Sequence, residues 1–532
     1  MGKRNEPKIG ERALFFIAPK LGRKKYKERL KREAMEDAEK ARVTMSGGYA
    51  KHGASRTLNS LVGWVVDGGS AEEDIDLQSA VLRQRARDLY AGGGLARSGP
   101  STMTTNVVGW GIQPKPKVDA EVLGMSDDAC DEWERKTLRE FRLWAENVMC
   151  DTERQQNFYE MQKLAFLSKL VSGDVFVLFG QKDNKRTPYK TTIRLLEADR
   201  ICTPDGQLGE SESMETESGG RIVDGVETDR EGAVIRYHVA NHHPLSEENA
   251  DTTWIAIEAY GKDTGRPNML HLMTLERPEQ KRGIPFVAAQ IEQIKQLDRY
   301  ISSELAANVV SSMLTAFITR ESENGMIGME DAVNEDEKVT DDEMQVELAP
   351  GAVYSLNPGE KVQEINPIRN NSAFEGFVST LFTVIGAGMG IPKEVLIKKY
   401  ESNYTAARGA LLDFWREVRV ERTEFINQFC QPVYEEWLAE AVAMGRVDAP
   451  GFFEDPAVRQ AWCGCMWMGA SMGHVDPLKE VKAAAERINL NISTEEQEAS
   501  EYNGANWLSN IRQRKKELAA KKDMEGTENA EE

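Results

Sequence analysis

The chain has 532 residues, with 67 Lys and Arg against 87 Asp and Glu for a net charge of −20, a hydrophobic content of 40% and 43 glycines. That length implies several domains and that composition a core-forming chain, so disorder throughout is excluded. Six cysteines are too few for a disulfide scaffold and point to a reduced, intracellular setting, while the negative balance disfavours a surface that grips nucleic acid everywhere.

Residues 1–32 carry twelve basic residues against three acids, a local +9 that leaves −29 for the rest. Such a run reads as a solvated basic arm or as one that docks on an acidic partner or nucleic acid. Its only apolar run, Ala13 to Ala18, is too short for a secretory signal. Leu77 to Tyr90 reads as a basic amphipathic helix stopped by Gly92, Gly93 and Gly94. Helical sequence resumes from about Asp127 to Ser172 as two helices, ended by Gly173. Strands follow at Val175–Phe179, Ile193–Leu196, Val234–Val239, Trp254–Ile257 and Met269–Leu275, with Asp224-Gly225 and Glu231-Gly232 as hairpin turns. The block reads as one compact mixed-sheet domain.

After Gly283 and Pro285 the period becomes helical, and Val287, Ile291, Ile294, Leu297, Ile301, Leu305, Val309 and Met313 hold one stripe for about 40 Å. Glu321 to Glu347 then holds eleven acids and the single base Lys338, half of the chain's net charge. A second helical run, Ser372 to Ile385, makes these two helices a hairpin with an acidic insertion at its far end. The longest uncharged apolar-leaning run, Gly376 to Pro392, is too short and too glycine-rich to span a bilayer. Tyr404 to Met444 reads as a third helical stretch, expected to bend or break near Pro432. The tail from Lys515 to Glu532 mixes Lys and Glu with few apolar residues and is expected to fray.

Catalytic signatures are scarce. No G-x-x-x-x-G-K-[ST] phosphate loop, H-E-x-x-H or G-x-S-x-G occurs. Gly386-Ala-Gly-Met-Gly390 follows a helical pattern rather than a strand, against the order a dinucleotide site needs. Cys463, Cys465 and His474 offer three ligands for a metal site, without the paired spacing of structural zinc motifs. His242 and His243 fall in a turn before Pro244.

Several stretches resemble the portal proteins of lambda-type tailed bacteriophages. They are Leu82-Arg-Gln-Arg-Ala-Arg-Asp-Leu-Tyr90, Thr105-Asn-Val-Val-Gly-Trp-Gly-Ile112, Ser172-Gly-Asp174, Leu196-Glu-Ala-Asp-Arg200 and Arg282-Gly-Ile-Pro285, leading into Ile291-Glu-Gln-Ile-Lys-Gln-Leu297. Further on come Ser402-Asn-Tyr-Thr-Ala-Ala-Arg-Gly-Ala-Leu-Leu412, Phe429-Cys-Gln-Pro-Val-Tyr434 and Asp476-Pro-Leu-Lys-Glu-Val-Lys-Ala-Ala484. They run in family order over about residues 75–490, and specificity comes from their number and order rather than from any catalytic signature.

The resemblance implies an α+β portal fold with a mixed α/β wing, a two-helix stem, a small α/β clip and an α-helical C-terminal crown, assembled as a ring generally of twelve copies. By element order the basic arm is 1–43, the wing 44–283, the stem helices 284–314 and 371–389, and the acidic clip 315–370. The tunnel loop is 390–403, the long wing helix and following segment 404–474, and the crown with its tail 475–532. The implied function is a non-enzymatic channel at one capsid vertex for packaging and later ejection of double-stranded DNA, and a docking platform for the terminase large subunit and then a head-tail adaptor. Major capsid and scaffold proteins are further partners. Neither cofactor, metal nor membrane is implied, and the place is the virion, after synthesis in the host cytoplasm. Lys393, Lys398 and Lys399 would line the channel as rings of positive charge that ease DNA past a net-negative wall, or simply face solvent in a loop. Glu335, Asp336, Glu337, Asp341, Asp342 and Glu343 would meet motor and adaptor through charge complementarity. The competing readings are a metal-dependent hydrolase using Cys463, Cys465 and His474, and a different head-tail adaptor ring, which the length disfavours.

Overall fold

The computed structural model describes residues 68–532 other than 205, 207, 208, 218, 247–251, 314–316, 321–359, 364–373, 401–403, 473–476, 504–506 and 532, with isolated positions between 25 and 32 and most of 58–64. The chain divides into two units, 1–70 and 71–532. In the first, Leu58 to Trp64 forms successive turns, with the Leu61 amide donating to the Leu58 carbonyl at 2.9 Å.

The second unit opens with α1 (Ser79–Gly92) and α2 (Gly94–Val107), separated by Gly93, whose backbone is extended. The glycine run therefore breaks the helix for one residue, and a second helix follows that propensity does not announce. Gly, Ser, Thr and an interior Pro100 are weak helix formers. Yet Ala96, Pro100, Met103 and Val107 fall at helical spacing and are all buried, so packing overrides propensity.

After strand β1 (Gln113–Pro116) come α3 (Asp127–Ala145) and α4 (Phe158–Ser172), the latter started by a capping box of Asn157 and Glu160. The sheet region is two antiparallel sheets rather than one. Strands β2 (Asp174–Gln181), β3 (Thr191–Glu197) and β9 (Met269–Met273) form the first, in the order β3-β2-β9. The second runs in sequence order through β4 (Ser213–Glu215), β5 (Arg221–Val223), β6 (Val226–Thr228), β7 (Val234–Ala240) and β8 (Trp254–Glu258). Both expected turns are present, Asp224-Gly225 joining β5 to β6 and Glu231-Gly232 lying between β6 and β7. Phe176, Leu196, Ile201, Val226, Tyr237 and Met269 form a core that both sheets share.

Helix α5 (Ile291–Met313) is followed by β10 (Phe317–Arg320), which pairs antiparallel with β11 (Glu360–Gln363), and then by α6 (Phe374–Gly388). The strand pair places Arg320 opposite Glu360, so the chain leaves and re-enters the described residues at one place between the two helices. A one-turn helix α7 (Lys393–Ile397) leads into α8 (Tyr404–Phe425). The expected break near Pro432 is a π turn, Ile426–Cys430, placed before α9 (Gln431–Ala443). Pro432 has no amide to donate, and its ring crowds the carbonyl four residues back, so widening the preceding turn keeps the helical path without a clash.

The large core is aromatic: the Phe141 ring lies 4.9 Å from Trp437, 5.5 Å from Tyr434 and 5.8 Å from Phe158, edge-on to each, and so joins α3, α4 and α9. Glu440 of α9 accepts from the Lys190 and Thr191 amides at 2.6 and 3.0 Å, tying that helix to the start of β3. The C-terminal part holds α10 (Pro456–Trp462), β12 (Cys465–Met468) paired with β1, then α11 (Pro477–Asn489), α12 (Glu495–Asn503) and α13 (Trp507–Glu531). The tail expected to fray is thus helical through Glu531.

Candidate functional site

Three features stand out: a buried ion cluster, the connection between α6 and α8, and the uncovered faces of α5 and α6. The ion cluster is built from the motifs that carry the resemblance. Arg282 is fully buried; its guanidinium donates to Asp174 at 2.7 Å, to Asp224 at 2.5 Å and to the carbonyls of Ala198 and Ile201, both at 2.9 Å. Arg83 of α1 donates to Asp199 at 3.1 Å and lies 3.7 Å from Asp174, while Arg87 pairs with Asp199 as well. Burial works against the Asp174 carboxylate, but Arg282 and then His271 outweigh it and hold its carboxyl well below the usual range. His271 stacks on Phe176 with ring centroids 4.0 Å apart. Asp76 accepts the Arg282 and Lys281 amides at 2.9 and 3.1 Å; its burial still pushes its carboxyl up to about 6.

Sequence reasoning does not single out these charges, because segments far apart in the chain supply them. Their joint effect is positional. They fasten α1, both sheets and the residues just before α5 to one another. Gly173 and Gly283 complete the junction: a Cβ on Gly283 would meet the Gly173 carbonyl oxygen at 2.0 Å, so the two backbones touch where only glycine fits.

The connection from α6 to α8 is anchored at its start and exposed at its end. Met389, Ile391, Val395 and Leu396 are buried, and the Ser98 hydroxyl donates to the Leu396 carbonyl at 2.6 Å. Of the three expected lysines, Lys393 is half-buried with its amine on the Ser379 hydroxyl of α6. Lys398 closes α7 with a left-handed backbone, φ 57°, and Lys398, Lys399 and Tyr400 are exposed. Lys393 is thus held against α6, while Lys398 and Lys399 are exposed. The six acids Glu335, Asp336, Glu337, Asp341, Asp342 and Glu343 lie outside the described residues.

Helices α5 and α6 pack through Ile294, Leu297 and Ile385, with Tyr300 stacked on Phe374 and edge-on to Phe377. On the outer face of the same pair apolar side chains remain uncovered: Leu305 is 64% exposed, Val384 54% and Phe377 50%. Between the two helices runs a groove of about 450 Å³ lined by Glu292, Gln293, Gln296, Tyr300, Phe377 and Leu381.

Cys463 and Cys465 have thiols that burial pushes up, to about 12 for Cys463; His474, the third residue of the expected metal set, lies outside the described residues. Among the described residues Glu197, Asp199 and His243 come close enough to share an ion, but Arg83 and Arg87 already neutralise Asp199. No helix is long and apolar enough to cross a membrane among the described residues.

A family model described as phage portal protein, lambda family, matches residues 57–422. Portal protein B of Escherichia phage lambda is 24% identical over 435 residues, covering 78% of this chain and 79% of that protein. The portal protein of Escherichia phage N15 is 23% identical over 461 residues, covering 83% and 84%. Among solved structures, the neck of a native gene transfer agent particle, computed with C12 symmetry, matches 79% of this chain and 92% of its own at 10% identity and a TM-score of 0.41.

Proposed function

The chain belongs to the lambda family of phage portal proteins, and from that membership we propose that copies of it close head-to-tail into a ring, generally of twelve in the family, that conducts double-stranded DNA at one vertex of the capsid. Its function is that of a portal: genome passes inward through it during packaging and outward at ejection. In this reading 44–283 is the wing, α5 and α6 are the stem, the acidic insertion is the clip, and 475–532 is the crown with its tail.

The observation that carries the ring is the uncovered apolar stripe of α5 and α6. Leu305, Phe377 and Val384 stand half or more in water on helices whose other face is already packed. Burying each against a neighbour stabilises by about 1 kcal/mol, and the gain recurs at every interface of a closed ring. Negative-stain imaging of purified protein tests the assembly. Rings with a central channel are expected, and monomers or dimers under every assembly condition would sink it.

Within the ring, Lys398 and Lys399 face the channel, each becoming a circle of positive charge in a net-negative tube. Lys393 instead holds α7 to α6 through Ser379. The clip acids meet the terminase large subunit during filling and a head-tail adaptor afterwards. Neutralising Asp341, Asp342 and Glu343 weakens terminase binding several-fold in a pull-down, and unchanged binding counts against that role.

A further inference from the structure

We propose that the basic half of the C-terminal helix, α13, is a sequence-independent binding site for the phosphate backbone of duplex DNA; the inference rests on the portal reading above. The helix is divided by charge. Residues 507–522 contain six cations and the single acid Glu517, a local +5, whereas 523–532 contain five acids and no cation. This polarity opposes the helix dipole, which favours acids near the N-terminus and bases near the C-terminus, so helix stability alone does not explain it.

Among the described residues these cations have no counter-charge. Arg512, Arg514, Lys515, Lys516 and Lys521 are exposed, and none of them is in an ion pair there. Glu517 is held by the Gln513 side-chain amide at 2.9 Å. The neighbouring acidic helix α12 does not supply the charge either. Its Glu495 accepts from the Trp507 indole at 2.7 Å, Glu496 pairs with Lys115, and Glu498 with Arg487. The acids that begin at Asp523 lie about 10 Å or more along the helix from Arg512, Arg514, Lys515 and Lys516, beyond the ~8 Å over which charges are felt at physiological salt, and only Lys521 stands within their reach.

A second copy of α13 cannot supply the counter-charge. Cyclic symmetry keeps every copy of α13 pointing the same way along the ring axis, so basic halves lie level with basic halves. Assembly therefore concentrates the positive charge of α13 into a girdle open to a polyanion. The anion that matches it is a regularly spaced one, and duplex DNA offers a charge about every 1.7 Å of its axis. From Arg512 to Lys521 the helix covers about 14 Å, enough to track several phosphates, and binding to phosphate alone gives affinity without sequence readout.

The experiment uses full-length rings, checked by negative stain before any DNA is added, in the natural form and as R512Q/R514Q/K515Q/K516Q. Affinity for a duplex of about 40 base pairs of mixed sequence is measured across a salt series, with polyglutamate as competitor. The expected result is at least about tenfold weaker binding by the variant near 0.1 M salt, with the slope of log K against log salt shallower by about 0.9 for each phosphate no longer neutralised. Variant rings that bind the duplex with unchanged affinity and slope would overturn the proposal, and so would polyglutamate displacing duplex from natural rings at equal charge, which marks an acidic protein as the partner. Natural protein that forms no rings fails earlier and overturns the portal reading itself.

Discussion

Arg282 is the residue on which most depends, because its fully buried guanidinium is satisfied by two carboxylates and several carbonyls of the chain itself. Removing it leaves the buried Asp174 and Asp224 without their directly bonded cation, with Arg83 at 3.7 and 3.6 Å as the remaining one. Arg282→Met therefore costs about 3–5 kcal/mol of stability, read as a lower denaturation midpoint by circular dichroism. Asp76 gives an effect of opposite sense. Its folded carboxyl titrates near 6 against an ordinary value of 3.8, so the native chain binds the proton more tightly than the unfolded one. Stability from this group alone is reduced above pH 6 and recovers as pH falls towards 4. Natural protein should thus gain about 1–2 kcal/mol relative to Asp76→Asn between pH 7 and 4.5, and parallel stability curves for the two proteins would refute this. Asp174 acts the other way, since its carboxyl is held low; its contribution persists above about pH 4 and is lost only in stronger acid.

At the scale of elements, the periodic ones are legible in the sequence and the irregular ones are not. The short apolar runs of β2 and β7 and the stripe of α5 lie close to where their patterns place them, because burial imposes apolar residues directly along a buried strand or one face of a helix. Helix α2 escapes such a reading because its buried positions are mostly small residues, Pro100 among them, that a hydrophobicity pattern does not register. The strand at Cys465–Met468 escapes it for another reason: it exists only because β1, far upstream in the chain, pairs with it. The α5–α6 pair yields its own prediction. Leu305→Asp with Val384→Asp places charges on the exposed stripe and should abolish rings while leaving helical content unchanged, as followed by size-exclusion chromatography and circular dichroism. Rings that persist at natural abundance would place the subunit interface elsewhere.

For the whole molecule, the charge of −20 is a distribution: a basic arm, an acidic insertion, and a C-terminal helix basic in its first half and acidic in its second. A tube meant to pass DNA gains from a wall that does not hold phosphate, with cations kept to a few places. On the channel-lining role proposed for Lys398 and Lys399, Lys398→Gln with Lys399→Gln removes two circles of charge while leaving Lys393 on Ser379. The expected outcome is a several-fold change in the rate of packaging or ejection with ring assembly intact, measured by DNA protected in filled heads; unaltered rates would return these lysines to ordinary surface residues.

Composition, periodicity and the ordered motifs determine, without coordinates, that this is an α+β chain, that an acidic run lies between two helical segments, and that it resembles phage portals. Each of those properties is local or additive along the chain. What Arg83, Asp174, Asp199, Asp224 and Arg282 do, and which of three lysines faces outward, is decided only by the fold. A buried charge has a role only through its partners, and partners brought together from distant segments leave no mark in the spacing of either.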